Sequence, residues 1–190
     1  MERKEIDMKV MLAGLLFGWI ILARVWAETG TASFYDLEAQ LIDQDGKSIS
    51  LDYFRGHPVV VTMFYSSCPH ACPMLIARLR AIEAKLNPVK RLETRFLLIS
   101  FDPKLDTPAA LLALQKRHGV EPSRWRFATP KLESKISDIA AVLGIKFRKV
   151  PEGGFSHSSI FGVLDENGMI KYRGEALQEE PEVFIKYLVK

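Results

Sequence analysis

The sequence predicts an α/β fold: a central mixed sheet flanked by helices, with a β-hairpin at its amino-terminal entrance. Three observations carry this. Pro58 to Tyr65 (PVVVTMFY) and Phe96 to Phe101 (FLLISF) are apolar and β-branched on both parities, the pattern of strands covered on both faces. Each is followed by a stretch of helical periodicity, which argues parallel strands joined by crossovers. Nearer the carboxyl end, Ile160 to Leu164 and Met169 to Tyr172 flank Glu166-Asn167-Gly168, an antiparallel pair that makes the sheet mixed. With 190 residues, 48% of them hydrophobic, the chain supplies the core of one domain plus an extra segment.

The elements follow in order. Leu37 to Ile42 and Ser48 to Leu51 flank Asp43-Gln44-Asp45-Gly46-Lys47, a hairpin with an Asp-Gly turn. After the strand at Pro58 to Tyr65, apolar residues at Leu75, Ile76, Leu79, Ile82 and Leu86 predict a helix from Pro73 to Leu86. Pro69 and Pro73 are tolerated only in a first turn, so SSCPHACPM, Ser66 to Met74, lies in a strand-to-helix elbow. Thr107-Pro108 caps a helix through Arg117, with Gly119 just past its end. Trp125 to Ala128 predicts a short strand, Ser134 to Leu143 a helix, and Ile145 to Val150 an extended stretch. Pro151 to Ser159 (PEGGFSHSS) reads as a glycine loop with His157 at its end, and Pro181 to Val189 as a closing amphipathic helix.

The amino terminus has a different character. Met1 to Lys9 is charged, Val10 to Ala23 is an uninterrupted apolar run, and Arg24 then precedes Val25-Trp26-Ala27. This layout predicts a secretory signal peptide over residues 1–27, or an uncleaved membrane anchor, for which the run is shorter than the roughly 20 residues a span needs. A connector over residues 28–36 and a folded domain over 37–190 follow. The expected location is exported and periplasmic, soluble after cleavage or anchored by the amino-terminal segment, the only membrane contact foreseen. No cysteine near Ala27 indicates a lipid anchor. Beyond residue 27 remain 22 basic and 20 acidic residues. That balance, with no basic stripe, excludes nucleic acid as a partner.

Cys68 and Cys72 are the chain's only cysteines, and four residues is about one helical turn, so both thiols serve one site. A disulfide across so short a loop would stabilise little on the chain-entropy argument, which favours a working pair: soft-metal binding or dithiol exchange. The order of elements, ending in an antiparallel hairpin and a helix, is that of a thioredoxin-like fold, in which the loop before the hairpin returns beside the cysteine elbow. His157 is then the histidine expected to face the cysteines. Two thiolates and one imidazole suit Cu(I), and the imidazole helps retain Cu(II); zinc accepts the same atoms but prefers a fourth ligand. His57, before a buried strand, and His118, in a last helical turn where the dipole favours a cation, are expected to be ordinary. Met63 is expected in the core, and Met74 is a further thioether within reach of Cu(I).

Four segments carry a resemblance. Leu41 to Leu51 (LIDQDGKSISL), Cys68 to Pro73 (CPHACP), Ile99 to Leu111 (ISFDPKLDTPAAL) and Phe155 to Gly168 (FSHSSIFGVLDENG) resemble, in order and spacing, the Sco/SenC family of copper-binding, thioredoxin-like proteins of cytochrome c oxidase assembly. The resemblance implies metal ligands at Cys68, Cys72 and His157. It also implies a partner, the copper-site subunit of a cytochrome c oxidase, and a role in copper delivery, copper-dependent signalling or thiol reduction there. Two positions depart from the family pattern: His70 stands where an acidic residue is common inside the cysteine motif, and Ser156 where an aspartate commonly precedes the ligand histidine. Asp102 and Asp106 match the family's acidic turn and read either as support for the site or as turn and surface. The alternative function is an exported thiol:disulfide oxidoreductase, Cys68 attacking and Cys72 resolving, with a thioredoxin-like reductant as partner. A thiol peroxidase is a weaker third reading, because the motif lacks a peroxidase context.

Overall fold

The computed structural model describes residues 33–68, 71–151 and 153–189. The expected signal or anchor over residues 1–27, most of the connector, and His70 lie outside the described residues. Among those described, no helix is long and apolar enough to cross a membrane.

The strands are β1 (Gln40–Asp43), β2 (Ser48–Ser50), β3 (Val59–Phe64), β4 (Arg95–Ser100), β5 (Trp125–Pro130), β6 (Phe147–Lys149), β7 (Phe155–His157), β8 (Ile160–Leu164) and β9 (Ile170–Glu175). The helices are α1 (Ala71–Lys85), α2 (Pro88–Glu93), α3 (Pro108–His118), α4 (Lys135–Leu143) and α5 (Pro181–Leu188). Seven strands form one mixed sheet in the order β2-β1-β5-β4-β3-β8-β9, with β3, β4 and β5 parallel and the remaining pairs antiparallel. All six residues of β3 are buried, as the unalternating apolar run predicts.

Helices cover both faces. Phe161 of β8 packs edge-on against Phe184 of α5, ring centroids 5.4 Å apart. A Cβ on the next residue, Gly162, would come within 3.3 Å of Leu143 in α4. Successive strand residues face opposite sides, so α5 and α4 lie on opposite faces. The buried stripe Leu75, Ile76, Leu79 and Ile82 seats α1 on the sheet. At roughly 1.5–3 kcal/mol for each fully buried side chain, this stripe fixes the helix start that carries Cys72.

Three elements differ from the sequence reading. The segment over Glu28 to Tyr35, expected to be a polar connector, reaches into the core at Phe34 and Tyr35. Ser33 caps a 3₁₀ turn at Phe34–Asp36, and the Phe34 amide donates to the Gly168 carbonyl at 2.9 Å. Helix α2 is additional: Asn87 accepts from the Lys90 amide at 2.9 Å and Pro88 starts the helix, but no residue of α2 is buried, so no apolar period announces it. Finally, part of the glycine loop expected over Pro151 to Ser159 is strand, Phe155–His157. Strands β6 and β7 pair antiparallel as a separate two-stranded sheet, with Phe147 opposite His157.

Candidate metal centre

The centre lies at the carboxyl ends of β3 and β4, where each strand gives way to a loop. Beyond β3, Tyr65 and the Cys68 turn, in which the Cys68 amide donates to the Tyr65 carbonyl at 3.2 Å, lead into α1. Helix α1 begins at Ala71, two residues before the expected start, so Cys72 and Pro73 both sit in its first turn. Pro73 costs nothing there, since first-turn amides have no intrahelical acceptor.

The two cysteines stand as thiols in unequal settings: Cys68 is half-buried and Cys72 is 3% exposed. Burial pushes the Cys72 thiol up to about 12, and the neighbouring Cys68 adds to the rise, while a hydrogen bond to the Tyr65 backbone opposes it. Cys72 is therefore protonated at neutral pH and gives up its proton only to a metal or a sulfur partner.

Asp106 holds the elbow in place. It is fully buried, and its carboxylate accepts from the Ser66 amide at 3.2 and 3.1 Å and from the hydroxyls of Ser66 and Ser100. This ties the β3 exit at Ser66, two residues before Cys68, the β4 exit at Ser100 and the turn before α3 to one acceptor. Asp102 does something different: its carboxylate accepts from the Leu105 amide at 3.3 Å in a surface turn. The two readings left open for the acidic turn thus divide between its two members.

His157 closes strand β7, with its ring against Phe101 (centroids 5.0 Å apart) and Tyr65 (6.0 Å). Its Nδ1 lies 3.1 Å from the Ser158 carbonyl, which can only accept, so the proton sits on Nδ1 and the lone pair on Nε2. Burial lowers the His157 pKa, which keeps the ring neutral and able to ligate. Among the described residues, no three of His, Cys, Asp and Glu gather closely enough to hold one ion. Tyr65 is the side chain common to both halves: it interacts with Cys68 and Cys72 and touches His157. Sequence reasoning missed it, because a tyrosine at the end of a buried apolar run carries the signal of a core residue.

The remaining candidates stand elsewhere. His57 Nε2 meets Arg95 at 3.1 Å, with Arg95 at the amino-terminal end of β4, and His118 ends α3. Burial and then Arg117 and Arg80 lower the His118 pKa, so these neighbours outweigh the helix dipole that was expected to favour its cation. Met63 is in the core; Met74 is 56% exposed, two residues past Cys72.

The SCO1/SenC family model matches residues 28–188. The chain belongs to the SCO1/SenC family. A SCO2-like protein of Rickettsia felis is 33% identical over 162 residues, covering 78% of this chain and 73% of that one. Among solved structures, BsSco, described as a Sco-family cytochrome c oxidase assembly protein with a disulfide switch, superposes with a TM-score of 0.69. Its identity is 21%, over 80% of this chain and 90% of its own. Arabidopsis thaliana ScoI with copper bound gives a TM-score of 0.66 at 18% identity, over 77% and 90%. These structures share the thioredoxin-like fold of the SCO1/SenC chain.

Proposed function

We propose that the protein is an exported copper metallochaperone that carries one copper ion on Cys68, Cys72 and His157 and matures the copper site of a respiratory cytochrome c oxidase. The observation that carries this is the donor set: two thiols four residues apart, one in the turn after β3 and one in the first turn of α1, with a hairpin that presents a neutral imidazole with its Nε2 lone pair available. Soft sulfur donors favour Cu(I), and the imidazole extends the set to Cu(II). Copper is cargo in this reading, not a resident cofactor. Copper in ScoI and the oxidase-assembly role of BsSco support the reading. The test is titration of the reduced protein with Cu(II). An intense thiolate-to-copper absorption band is expected, which His157→Ala weakens or abolishes; an unchanged band removes His157 from the site.

Thiol:disulfide exchange is the second reading, favoured by the unequal burial of the two thiols. The half-buried Cys68 would attack, the buried Cys72 would resolve, and a thioredoxin-like reductant would restore the pair. The disulfide switch described for BsSco supports it. Copper-free protein should then reduce a model disulfide catalytically, and negligible turnover rules the reading out.

A further inference from the structure

The β6–β7 hairpin has an unusual tie to the cysteine elbow. In its ladder the Val150 amide donates to the Gly154 carbonyl at 3.2 Å and the Ser158 amide to the Lys146 carbonyl at 2.9 Å. Hydrogen-bonded pairs alternate along an antiparallel ladder, so the Phe155 pairing with Lys149 and the His157 pairing with Phe147 are the non-hydrogen-bonded ones. The backbone groups of Phe155 and His157 therefore point away from β6. The Phe155 carbonyl finds its partner across the site: the Tyr65 hydroxyl donates to it at 3.1 Å, in a buried bond spanning 90 residues of sequence. The Tyr65 ring fits against the same strand, edge-on to Phe155 at 5.4 Å and to His157 at 6.0 Å. The chain comes close enough that a Cβ on Gly154 would lie 3.1 Å from the ring. On its other side Tyr65 is three residues before Cys68, its backbone is hydrogen-bonded to the Cys72 sulfur, and its phenol interacts with the Cys68 thiol.

We propose that Tyr65 is a positioning residue that couples the two halves of the copper site, its hydroxyl bond to the Phe155 carbonyl setting how His157 is presented to an ion held by Cys68 and Cys72. This rests on the copper-binding reading above and adds a residue to it. A phenylalanine at position 65 would keep the ring packing and lose the hydroxyl's bond to the Phe155 carbonyl together with its interaction with the Cys68 thiol. Because imidazole matters more to Cu(II) than to Cu(I), the hydroxyl sets the preference between oxidation states rather than overall copper retention.

The experiment compares wild type, Tyr65→Phe, His157→Ala and the double variant. In Tyr65→Phe, Cu(II) affinity falls about tenfold, the lower end for loss of a group that orients a ligand. Cu(I) affinity stays within about threefold, so the potential of the bound copper rises by about 59 mV per tenfold change in their ratio. In the His157→Ala background, adding Tyr65→Phe lowers Cu(II) affinity no further, because the hydroxyl acts through the imidazole. An unchanged Cu(II) affinity in Tyr65→Phe, an equal loss for both oxidation states, or an undiminished loss in the double variant overturns the proposal. A metal-free arm separates it from the function: amide exchange at Val150 and Ser158 should speed up about tenfold in Tyr65→Phe whether or not copper binds. Unchanged exchange sinks the tie itself, whereas absence of copper binding in wild type sinks the chaperone reading.

Discussion

Asp106 shows how a single residue turns a surface motif into a site. Its described side-chain partners, the Ser66 amide and the Ser66 and Ser100 hydroxyls, all donate to it, and the Ser100 hydroxyl already accepts from the Asp102 amide, so a carboxylate satisfies them better than an amide would. Asp106→Asn points an NH2 at one of these donors and leaves buried polar groups unpaired, at about 2–3 kcal/mol of stability. Urea denaturation should show this loss, while Ser66→Ala, which keeps the amide bond to Asp106, should cost only about 1 kcal/mol. Equal effects would mean that the hydroxyl, not the carboxylate, anchors the elbow. Asp106 was visible in the sequence as part of an acidic turn, but its burial was not. A helix cap one residue later and a turn aspartate four residues earlier give such a residue every mark of polar surface. Cys68, Cys72 and His157 could be put forward from the sequence because their residue types carry chemistry; Tyr65 could not, because its type carries packing as readily as positioning.

Elements were legible in proportion to how far packing imposes a period on them. Strands β3 and β4 and helix α1 announce themselves, whereas α2, with no buried residue, left only the Asn87-Pro88 start signal. The β6–β7 hairpin was hidden for another reason: β7 has three residues, buried, exposed and half-buried, too short for alternation to stand out beside two glycines. Those glycines do different jobs, which a paired substitution separates. Gly153 and Gly154 have φ of 97° and 79°, so alanine at either pays left-handed strain of about 1–2 kcal/mol. Only Gly154 also abuts Tyr65, at 3.1 Å from the ring and 3.2 Å from the hydroxyl, whereas a Cβ on Gly153 meets nothing within 4 Å. Gly154→Ala is thus expected to lower stability more than Gly153→Ala, and to disturb the His157 ring resonances where Gly153→Ala does not. Matching spectra for the two variants would show that the hairpin is not pressed against Tyr65.

At the scale of the whole molecule, the start of the described chain is pinned to a turn far along the sequence. Phe34 is fully buried, and a Cβ on Gly168 would fall 2.4 Å from the Tyr35 ring, which leaves glycine as the residue that fits. Phe34→Ala should therefore cost about 3–5 kcal/mol in urea denaturation, the range for a buried phenylalanine; a loss below 1 kcal/mol would return Phe34 to the connector that the sequence suggested.

Acid stability is a second property of the whole, because histidines at both ends of the sheet have lowered pKa values. Burial and then Arg95 lower the His57 pKa, burial and then Arg117 and Arg80 lower that of His118, and burial lowers that of His157. In each case the unfolded chain, with its histidine near 6.5, binds more protons than the folded one between the folded pKa and that value. The contribution to stability is therefore complete above pH 6.5 and is lost as pH falls toward the folded pKa. Glu93 is the acidic group that raises His57 in opposition, but burial and Arg95 outweigh it. Unfolding free energy should accordingly fall from pH 7.5 to pH 5.5, and His57→Gln with His118→Gln should flatten that slope without touching the thiol site. A slope that survives both substitutions would assign the loss to His157, and would place the acid-sensitive part of the fold at the thiol end of the sheet.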